Sequence, residues 1–299
     1  MMTVPLPEAM ALRLDPPQPP PCPRADRLQR SRGRLEVRWK RRGAATVLDR
    51  LFQEGALKAR LPKDHDRGCP DVTLINLAGG LTGGDRLHLR LTFPAGTVAG
   101  ATTQAAEKVY RTAGGFGEVA TEIAVDDGAW AEWLPQETIL FDGAALRRRL
   151  TLRLSGGARA LLVEPVVFGR LAMGEAPARL DWVDRIELHV DDRLAWLDVA
   201  RLAPPTLPLL DAPPLGGGLR AMATVLYAGP DAADALPVVR EAMADLPLPG
   251  AATRLDGVVV VRFHGPDPWA LRRSLVALLP RLRAALGGLP PQLPRLWHS

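Results

Sequence analysis

The stretch from Leu74 to Glu175 decides the fold, because it sets four polar motifs among short runs of alternating apolar residues. In order, the motifs read LINLAGGLTGGDRLHLRLTF (74–93), TTQAAEKVYR (102–111), LPQETILFDGA (134–144) and EPVVFGRLAMGE (164–175). In the first motif, the leucines of RLHLRLTF alternate with polar residues, which is the period of a half-buried strand. The glycines before that strand predict a tight turn that places Asp85 immediately before the strand.

Runs of the same period recur on both sides of this stretch. They occupy residues 34–39, 45–52, 72–79, 86–93, 119–125, 129–134, 149–154, 160–167, 186–190, 194–202 and 219–227. Gly, Pro and Asp separate them, as expected of turns. Many short strands predict a mainly β fold. No internal repeat of fixed period is visible, so the sequence by itself does not require a regular solenoid.

Two segments have helical spacing instead. Residues 231–246 predict one short or kinked helix, because Pro237 interrupts the pattern. A stronger helix begins after Asp267, a good N-cap, and ends at Gly287-Gly288, with Pro280 expected to bend or split it. Its leucines form one stripe, which either packs on the β body or forms a partner surface. An exposed stripe would make the lone protein poorly soluble.

The charge balance bears on possible partners. The formal net charge is +5 and the sequence pI about 9.7, but the 38 basic residues face 33 acidic ones. All but four of the basic residues are arginines, spread along the chain without aromatic residues interleaved. Such a pattern does not favour a nucleic-acid surface. No stretch approaches the roughly 20 apolar residues of a membrane span, so we expect a cytoplasmic protein without membrane contact.

The N-terminal segment differs from the rest. Residues 1–32 are rich in proline and predict a disordered tail, and residues 33–299 predict a single β domain. One cysteine, Cys22, lies in the tail and the other, Cys69, in a predicted loop. Two cysteines so placed do not predict a disulfide framework and fit a reducing compartment.

Several catalytic and metal signatures are missing from the sequence. AGGLTGGD lacks the lysine and hydroxyl of a P-loop, and no G-x-S-x-G, C-x-x-C or H-E-x-x-H occurs. Oxygen ligands at motif positions remain, and these bind first-row divalent ions weakly, which suits transit better than storage. The candidates are Asp85, Thr102, Thr103, Glu107, Glu137, Thr138, Asp142, Glu164 and Glu175. Each acid could equally be a turn former or an ion-pair partner.

Glu164 has an unusual context, because ALLVEPVVFGR places this acid inside an apolar strand. A charge so placed must be paired or must line a wet cavity. Pairing with Arg170 or Arg111 is one interpretation, and lining an aqueous channel is the other.

The motifs GGLTGGD, TTQAAEKVYR, LPQETILFDGA and GRLAMGE, with PRLW at 294–297, resemble those of the urease accessory protein family UreD, called UreH in some organisms. The resemblance runs from about Thr46 to Trp297. One departure is Leu296, where the family more often has isoleucine, a volume-conserving change.

The resemblance implies a helical stack of β-strands with about two α-helices, the longer near the C-terminus. It implies a scaffold rather than an enzyme, which binds apo-urease and UreF and recruits the GTPase UreG through UreF. A water-filled passage for Ni²⁺ is also implied, with no tightly bound cofactor. On that reading, the nickel-passage candidates are Asp85, Thr102, Thr103, Glu137, Asp142, Glu164 and Glu175.

A carbohydrate-active β-rich enzyme is the alternative, with Glu137 and Asp142 as acid and base. The aromatic content of 5% counts against it, because sugar-binding clefts usually need aromatic platforms.

The tail yields a first prediction. Deleting residues 1 to about 30 should leave soluble expression and complex formation unchanged, because a proline-rich segment cannot bury enough surface to offset its ordering entropy. Expression yield and partner co-purification of the truncated and full chains test this. Loss of either would show that the tail contributes to the folded protein.

Overall fold

The computed structural model of the protein describes residues 29–63 and 67–298, so most of the predicted tail lies outside the described residues. Within them, 17 strands and three α-helices follow one another. The strands are β1 (Arg32–Arg42), β2 (Ala45–Gly55), β3 (Leu57–Arg60), β4 (Asp71–Asn76), β5 (Arg86–Phe93), β6 (Val98–Thr103), β7 (Glu107–Val109), β8 (Gly117–Val125), β9 (Trp130–Trp133), β10 (Thr138–Leu140), β11 (Ala145–Leu154), β12 (Arg159–Phe168), β13 (Asp181–Val190), β14 (Arg193–Leu202), β15 (Ala221–Ala228), β16 (Gly250–Leu255) and β17 (Val258–Gly265). The helices are α1 (Thr206–Asp211), α2 (Ala232–Ala242) and α3 (Pro268–Gly287).

The strands form two sheets. One has seven strands in the order β14-β13-β11-β8-β5-β1-β2, and the other has ten, built on the path β16-β17-β15-β12-β9-β6-β4-β3. Between β4 and β13 the chain visits the sheets alternately, and its main strands pair in parallel within each sheet. The chain therefore winds as a stack of coils. The predicted mainly β, stacked fold is confirmed.

The coils have a similar length, although the sequence shows no repeat. Asn76 bonds to Glu107, Tyr110 to Gly79, and Arg111 to Asp142, and each pair is 31 residues apart. Parallel neighbours lie about 4.8 Å apart, so residues one coil apart become contacts. The repeat is therefore one of coil length only. The residue types do not repeat from one coil to the next.

The alternation of apolar and polar residues along a strand determines which of its two faces is buried. In β5 the predicted leucines 87, 89 and 91 are all buried between the sheets, whereas Arg86 and Arg90 are exposed. The turn before β5 needs its glycines: Gly84 has φ +92°, and a Cβ on Gly83 would overlap Thr112 and Gly114 of the next coil. The predicted strand–turn–strand arrangement of this motif is confirmed.

The predicted runs miss six strands, which are β3, β6, β7, β10, β16 and β17. For β17 the reason is clear. The run VVVVRFHG of β17 does not alternate in hydrophobicity, because helices cover one side of its sheet and the second sheet covers the other. Val258 and Val260 pack in the core between the sheets, and Val259 and Val261 pack with α2 and α3. A strand buried on both faces has no polar side to reveal its period.

Both predicted helices are present. Pro237 lies inside α2. In α3 the Asp267 side chain accepts a hydrogen bond from the Trp269 backbone N–H (2.8 Å), and Gly288 closes the helix with φ +63°. Pro280 does not split α3, which continues through it. The short α1 was not predicted. None of the described helices is both long and apolar enough to cross a bilayer.

The leucine stripe of α3 is buried against the ten-stranded sheet, so the partner-surface alternative is wrong and the packing alternative is correct. Because the leucines of α3 are buried, they are no reason to expect poor solubility of the isolated protein. Its leucines are residues 271, 275, 278, 279, 282 and 286.

Truncating this stripe should destabilise the fold. Leu275→Ala removes a fully buried side chain and should lower the free energy of unfolding by about 2–5 kcal/mol. Leu255→Ala, on β16 and 45% exposed, is the matched control and should change it by less than about 0.5 kcal/mol. Urea denaturation of both variants is the measurement. Equal effects would mean that α3 is not part of the core.

Candidate functional site

A cavity of about 340 Å³ lies between the two sheets, at the level of the sequence motifs. Leucines from both sheets form much of its wall, but polar side chains from successive coils interrupt them. These polar residues are Asn76, Thr103, Gln104, Glu107, Lys108, Thr121, Gln136, Thr138, Arg148 and Glu164. A water molecule needs roughly 10–15 Å³ of such space and two to four polar partners. The cavity can therefore hold a chain of hydrogen-bonded waters.

Arg148 is the centre of the polar wall and joins the sheets. Its guanidinium reaches across from β11 to the Glu164 carboxylate on β12 (2.6 Å) and also pairs with Asp184 on β13. It donates a further hydrogen bond to the Thr138 hydroxyl (3.0 Å). All three charged side chains are at least nine-tenths buried. Two carboxylates thus share one guanidinium, and the cluster has one excess negative charge when both are ionised.

Glu164 is an acid of this cluster with a raised pKa. Burial raises its pKa, and the neighbouring Asp184 charge adds to the rise while Arg148 opposes it. The Trp133 indole N–H donates to the same carboxylate (2.6 Å). The predicted pairing of Glu164 with Arg170 or Arg111 is wrong, because Arg148 is the partner. Glu164 is nonetheless both paired and part of the cavity wall.

Glu107 lies in the same cavity wall, one coil after Asn76. The Asn76 amide donates to both of its carboxylate oxygens, at 3.0 and 3.2 Å. Burial raises the pKa of Glu107 to about 7, and the negative charge of Asp85 adds to the rise. Glu107 therefore exchanges its proton near neutral pH.

The two threonines of the second motif have different surroundings. Thr103 lines the cavity, accepts a hydrogen bond from the Gln136 N–H (2.8 Å) and donates one to the Ala105 carbonyl (3.2 Å). Thr102 is fully buried, and its hydroxyl donates to the Leu134 carbonyl (2.7 Å). Only Thr103 is placed to meet an ion in the cavity.

Three other predicted residues brace the turns between coils and do not line this cavity. Asp85 accepts hydrogen bonds from the Ser31 N–H (2.7 Å) and the Thr82 N–H (2.9 Å). Asp142 accepts from the Arg179 N–H (2.9 Å) and pairs with Arg111 (2.6 Å).

The third of these residues is Glu175. Its carboxylate accepts from the Asp142 N–H (2.8 Å) and pairs with Arg170, which lowers its pKa. Glu175 and Asp142 thus link one turn to the next.

Glu137 is held by the C-terminal helix. The Arg272 guanidinium of α3 donates to both Glu137 oxygens at 2.9 Å. Glu137 and Asp142 flank the extended strand β10, so about 16 Å of backbone separates them at roughly 3.3 Å per residue. Glycosidase carboxylates are about 5–9.5 Å apart. The two residues, each tied to a different arginine, do not form the acid–base pair of the alternative enzyme.

A second polar cluster lies beneath α3. Cys69, Asp71 and Glu132 place possible ligand atoms within 4.8 Å of one another, the only such trio in the part of the chain that the structure describes. Arg67 pairs with both carboxylates, and Arg283 pairs with Glu132 (2.7 Å). Burial raises the pKa of the Cys69 thiol to about 12. Two guanidiniums already balance two carboxylates, so the cluster anchors α3.

Comparison with known proteins identifies the family. The profile of the UreD urease accessory protein family matches residues 31–298. The chain belongs to the UreD family. A urease accessory protein UreD of Paracoccus denitrificans is 40% identical over 272 residues, covering 91% of this chain and 94% of that protein. A UreD of Cereibacter sphaeroides is 40% identical over 277 residues, covering 93% and 98%. The resemblance drawn from the motifs is confirmed.

Within this UreD family member, sequence reasoning missed two members of the central cluster. Arg148 was hidden in the run Arg147-Arg148-Arg149, which has the composition of a solvated face. The period of β11 nevertheless places Arg148 on the inner face, with Leu146 and Leu150. Asp184 likewise lies on the same face of β13 as the buried Trp182 and Ile186. Strict alternation was the signal that could have found both.

The pKa of Glu107 generates a pH prediction. It rises from 4.5 to about 7 on folding, so between these pH values the folded protein keeps a proton that the unfolded chain releases. Stability should fall as the pH rises through this interval, by roughly 1–3 kcal/mol. Glu107→Gln should remove that part of the fall. Urea denaturation from pH 4.5 to 8 measures it.

The exposed Glu118→Gln is the matched control and should retain the wild-type pH dependence. Parallel curves for the wild type and Glu107→Gln would show that Glu107 ionises normally in the folded protein.

Proposed function

We propose that this protein is a non-catalytic, cytoplasmic scaffold of urease maturation. It binds apo-urease and UreF, recruits UreG through UreF, and lets Ni²⁺ pass through its interior toward the urease active site. Membership of a family named for urease accessory proteins supports the role in maturation. Nickel is cargo in this proposal, and the protein keeps no cofactor tightly bound.

The Arg148 cluster is the observation that carries the conduit. A desolvated site with two carboxylates and one guanidinium favours the arrival of a further positive charge. Burial raises the pKa of Glu164, and the Asp184 charge adds to the rise while Arg148 opposes it. A divalent cation beside the two carboxylates would compensate the negative charge that Arg148 leaves unbalanced.

The remaining wall suits transit. Hydroxyl, amide and carboxylate oxygens at Thr103, Gln136, Thr138 and Glu107 are hard, weak ligands for Ni²⁺. They offer successive partial coordination without the soft thiolate or imidazole that would retain the ion. Binding that is favourable but weak at several sites is what conduction requires.

A neighbouring cavity supports a continuous route. It measures about 390 Å³ and shares Ile75 and Gln104 with the first cavity. Its wall includes the buried Asp71 and Thr73, and it continues to the C-terminal residues 294–296. A route through both cavities would cross from one face of the ten-stranded sheet to the other beside Ile75 and Gln104, where β4 and β6 end.

Glu164→Gln tests the conduit without breaking the scaffold. It leaves one guanidinium and one carboxylate, Arg148 and Asp184, so no charge is stranded. Complexes with urease and UreF should form normally, while the nickel content and activity of the resulting urease should fall several-fold. Pull-down and metal analysis of urease matured with the variant are the measurements.

Glu122→Gln, which removes an acid from the outer face of the seven-stranded sheet, is the matched control and should mature urease normally. Nickel-replete urease from the Glu164 variant would remove the cluster from the mechanism. Loss of the complexes would assign Glu164 a structural role.

A further inference from the structure

The seven-stranded sheet has an outer face, formed by the side chains that point away from the ten-stranded sheet. In β5, for example, Arg86, His88 and Arg90 point outward, whereas the leucines that alternate with them are buried between the sheets. The strand register places the outward side chains of neighbouring strands next to one another, so that they form rows across the sheet. Four consecutive rows, about 6.6 Å apart along the strands, make up a surface that we name the basic face.

The first two rows of the basic face are strongly cationic. The charged residues of the first row are Arg32, Arg86, Glu118, Arg147 and Arg201, in the order of the strands. Those of the second row are Glu54, Arg34, Arg149 and Arg185. Seven cations therefore face two carboxylates in these rows.

The third and fourth rows differ from each other. The third row has one cation, Arg90, and three acids, and each of these acids pairs with an arginine of the basic face. The fourth row has three cations, Arg38, Arg50 and Arg153, and no acid among its described residues. The third row is thus compensated within the face, and the fourth adds to the positive charge of the first two.

The surplus of positive charge remains when the neighbouring acids are counted. At the ends of the strands Lys40 pairs with Asp49, and Asp181 adds one negative charge. The basic face with these three residues has five positive charges in excess, which equals the formal net charge of the whole chain. In the rest of the sequence, acidic and basic residues are equal in number.

Ion pairing leaves the cations of the basic face accessible. Glu187 is 6% exposed, whereas its partner Arg149 is 59% exposed. Arg86 is likewise 63% exposed although it pairs with Glu118. Exposed ion pairs are weak, so these guanidiniums can exchange partners. Four further cations have no ion-pair partner among the residues that the structure describes, and these are Arg32, Arg50, Arg153 and Arg201.

One edge of the basic face is apolar. Leu194, Leu197 and Val199 of β14 point outward and are 53%, 42% and 49% exposed. Because β14 is the last strand of the sheet, these side chains form a strip beside the cations. Specific protein interfaces combine apolar contact with complementary charge.

A groove of about 690 Å³ crosses the first two rows. It lies over Ala120, whose small side chain stands between His88 and Arg149 in the second row. Arg34 and Arg149 border this position three strands apart, which is about 14 Å. Carboxylate side chains that enter the groove therefore meet guanidiniums on both sides, and a guanidinium binds a carboxylate through two hydrogen bonds.

The basic face has the size of a protein interface. Seven strands about 4.8 Å apart and eight residues of about 3.3 Å each give a surface of roughly 30 by 25 Å. A specific interface needs about 800 Å² from each partner. The face therefore suits the surface of a folded protein better than a single strand or helix.

Charge and composition decide which surface fits. A second copy of this chain would bring the same excess of positive charge, so face-to-face self-association is disfavoured. Single-stranded nucleic acids need aromatic platforms, but Phe52 is the only phenylalanine, tyrosine or tryptophan among the described residues of the face, and Arg34 covers its ring at 5.4 Å. The apolar strip on β14 also offers nothing to a phosphate backbone. An acidic protein surface with an apolar border fits both parts.

We infer that the basic face docks apo-urease through an acidic surface of that protein. The carboxylates of the partner meet the first, second and fourth rows, and its apolar side chains cover the strip on β14. The acidic chemistry follows from the basic face alone. The identity of the partner rests on the proposed function, since urease is the protein for which the relatives of this chain are named.

The test measures association of nickel-free urease with the immobilised full-length protein. Arg32→Glu with Arg153→Glu reverses two cations of the basic face without breaking an ion pair and should slow association tenfold or more at low salt. The difference should shrink at high salt, because salt screens steering between exposed charges. Arg254→Glu with Arg273→Glu makes the same change of charge at exposed positions on β16 and α3. This matched control should alter the rate less than twofold.

The apolar strip is tested separately. Leu194→Ser with Leu197→Ser should speed dissociation of urease tenfold or more, because it removes apolar contact from the interface. Leu215→Ser with Leu255→Ser replaces two exposed leucines elsewhere and should change dissociation less than twofold. The charge variants decide the matter if the serine variant unfolds at a lower temperature than its control.

The outcomes separate this inference from the proposed function. A wild-type protein that does not bind nickel-free urease would contradict both. Wild-type binding that every variant of the basic face retains within twofold would leave the proposed function standing and overturn the inference. Binding of a short single-stranded RNA more tightly than urease, with loss in the Arg32 and Arg153 variant, would assign the face to nucleic acid instead.

Discussion

Parallel pairing between coils is the constraint on which this molecule depends. Each turn of the chain must bring one strand to each sheet and return to the same corner, so the coil length is set by backbone geometry rather than by repeated residues. Tyr110 meets Phe141 because 31 residues complete one coil. The same spacing of 31 residues brings Asn76 to Glu107, and Trp133 to Glu164. Polar residues that look scattered in the sequence thereby become neighbours.

The stack has an inside and a corner, and polar side chains serve a different purpose in each. Inside, Arg148 joins the sheets where leucines would otherwise close the gap, and the adjoining cavity is large enough to hold water beside two carboxylates and one guanidinium. At the corner, Asp142 and Glu175 hold one loop to the next. Both sets of acids belong to the same motifs, so motif membership does not reveal which acids face the cavity.

The sequence predicts the strands well, because alternation such as that of Leu87, Leu89 and Leu91 reports one buried face. It also predicts both ends of α3, since Asp267 is the N-cap and Gly288 the C-cap of that helix. It fails at β17, where both faces are buried, and at Arg148, which the neighbouring arginines disguise. It could not separate Thr103 from Thr102, because adjacent strand residues point to opposite sides. The partner of Glu164 required the coil register, which no local pattern contains.

The anchoring of α3 has a consequence for how the chain is made. The segment from Glu132 to Glu137 bonds to Arg283, Arg272 and Trp297, all more than 130 residues later. Coils synthesised early therefore wait for the last part of the chain to leave the ribosome before their buried charges are balanced. Domains dominated by such distant contacts fold slowly. Glu132 and Glu137 therefore gain their α3 arginines only after nearly the whole chain has been synthesised.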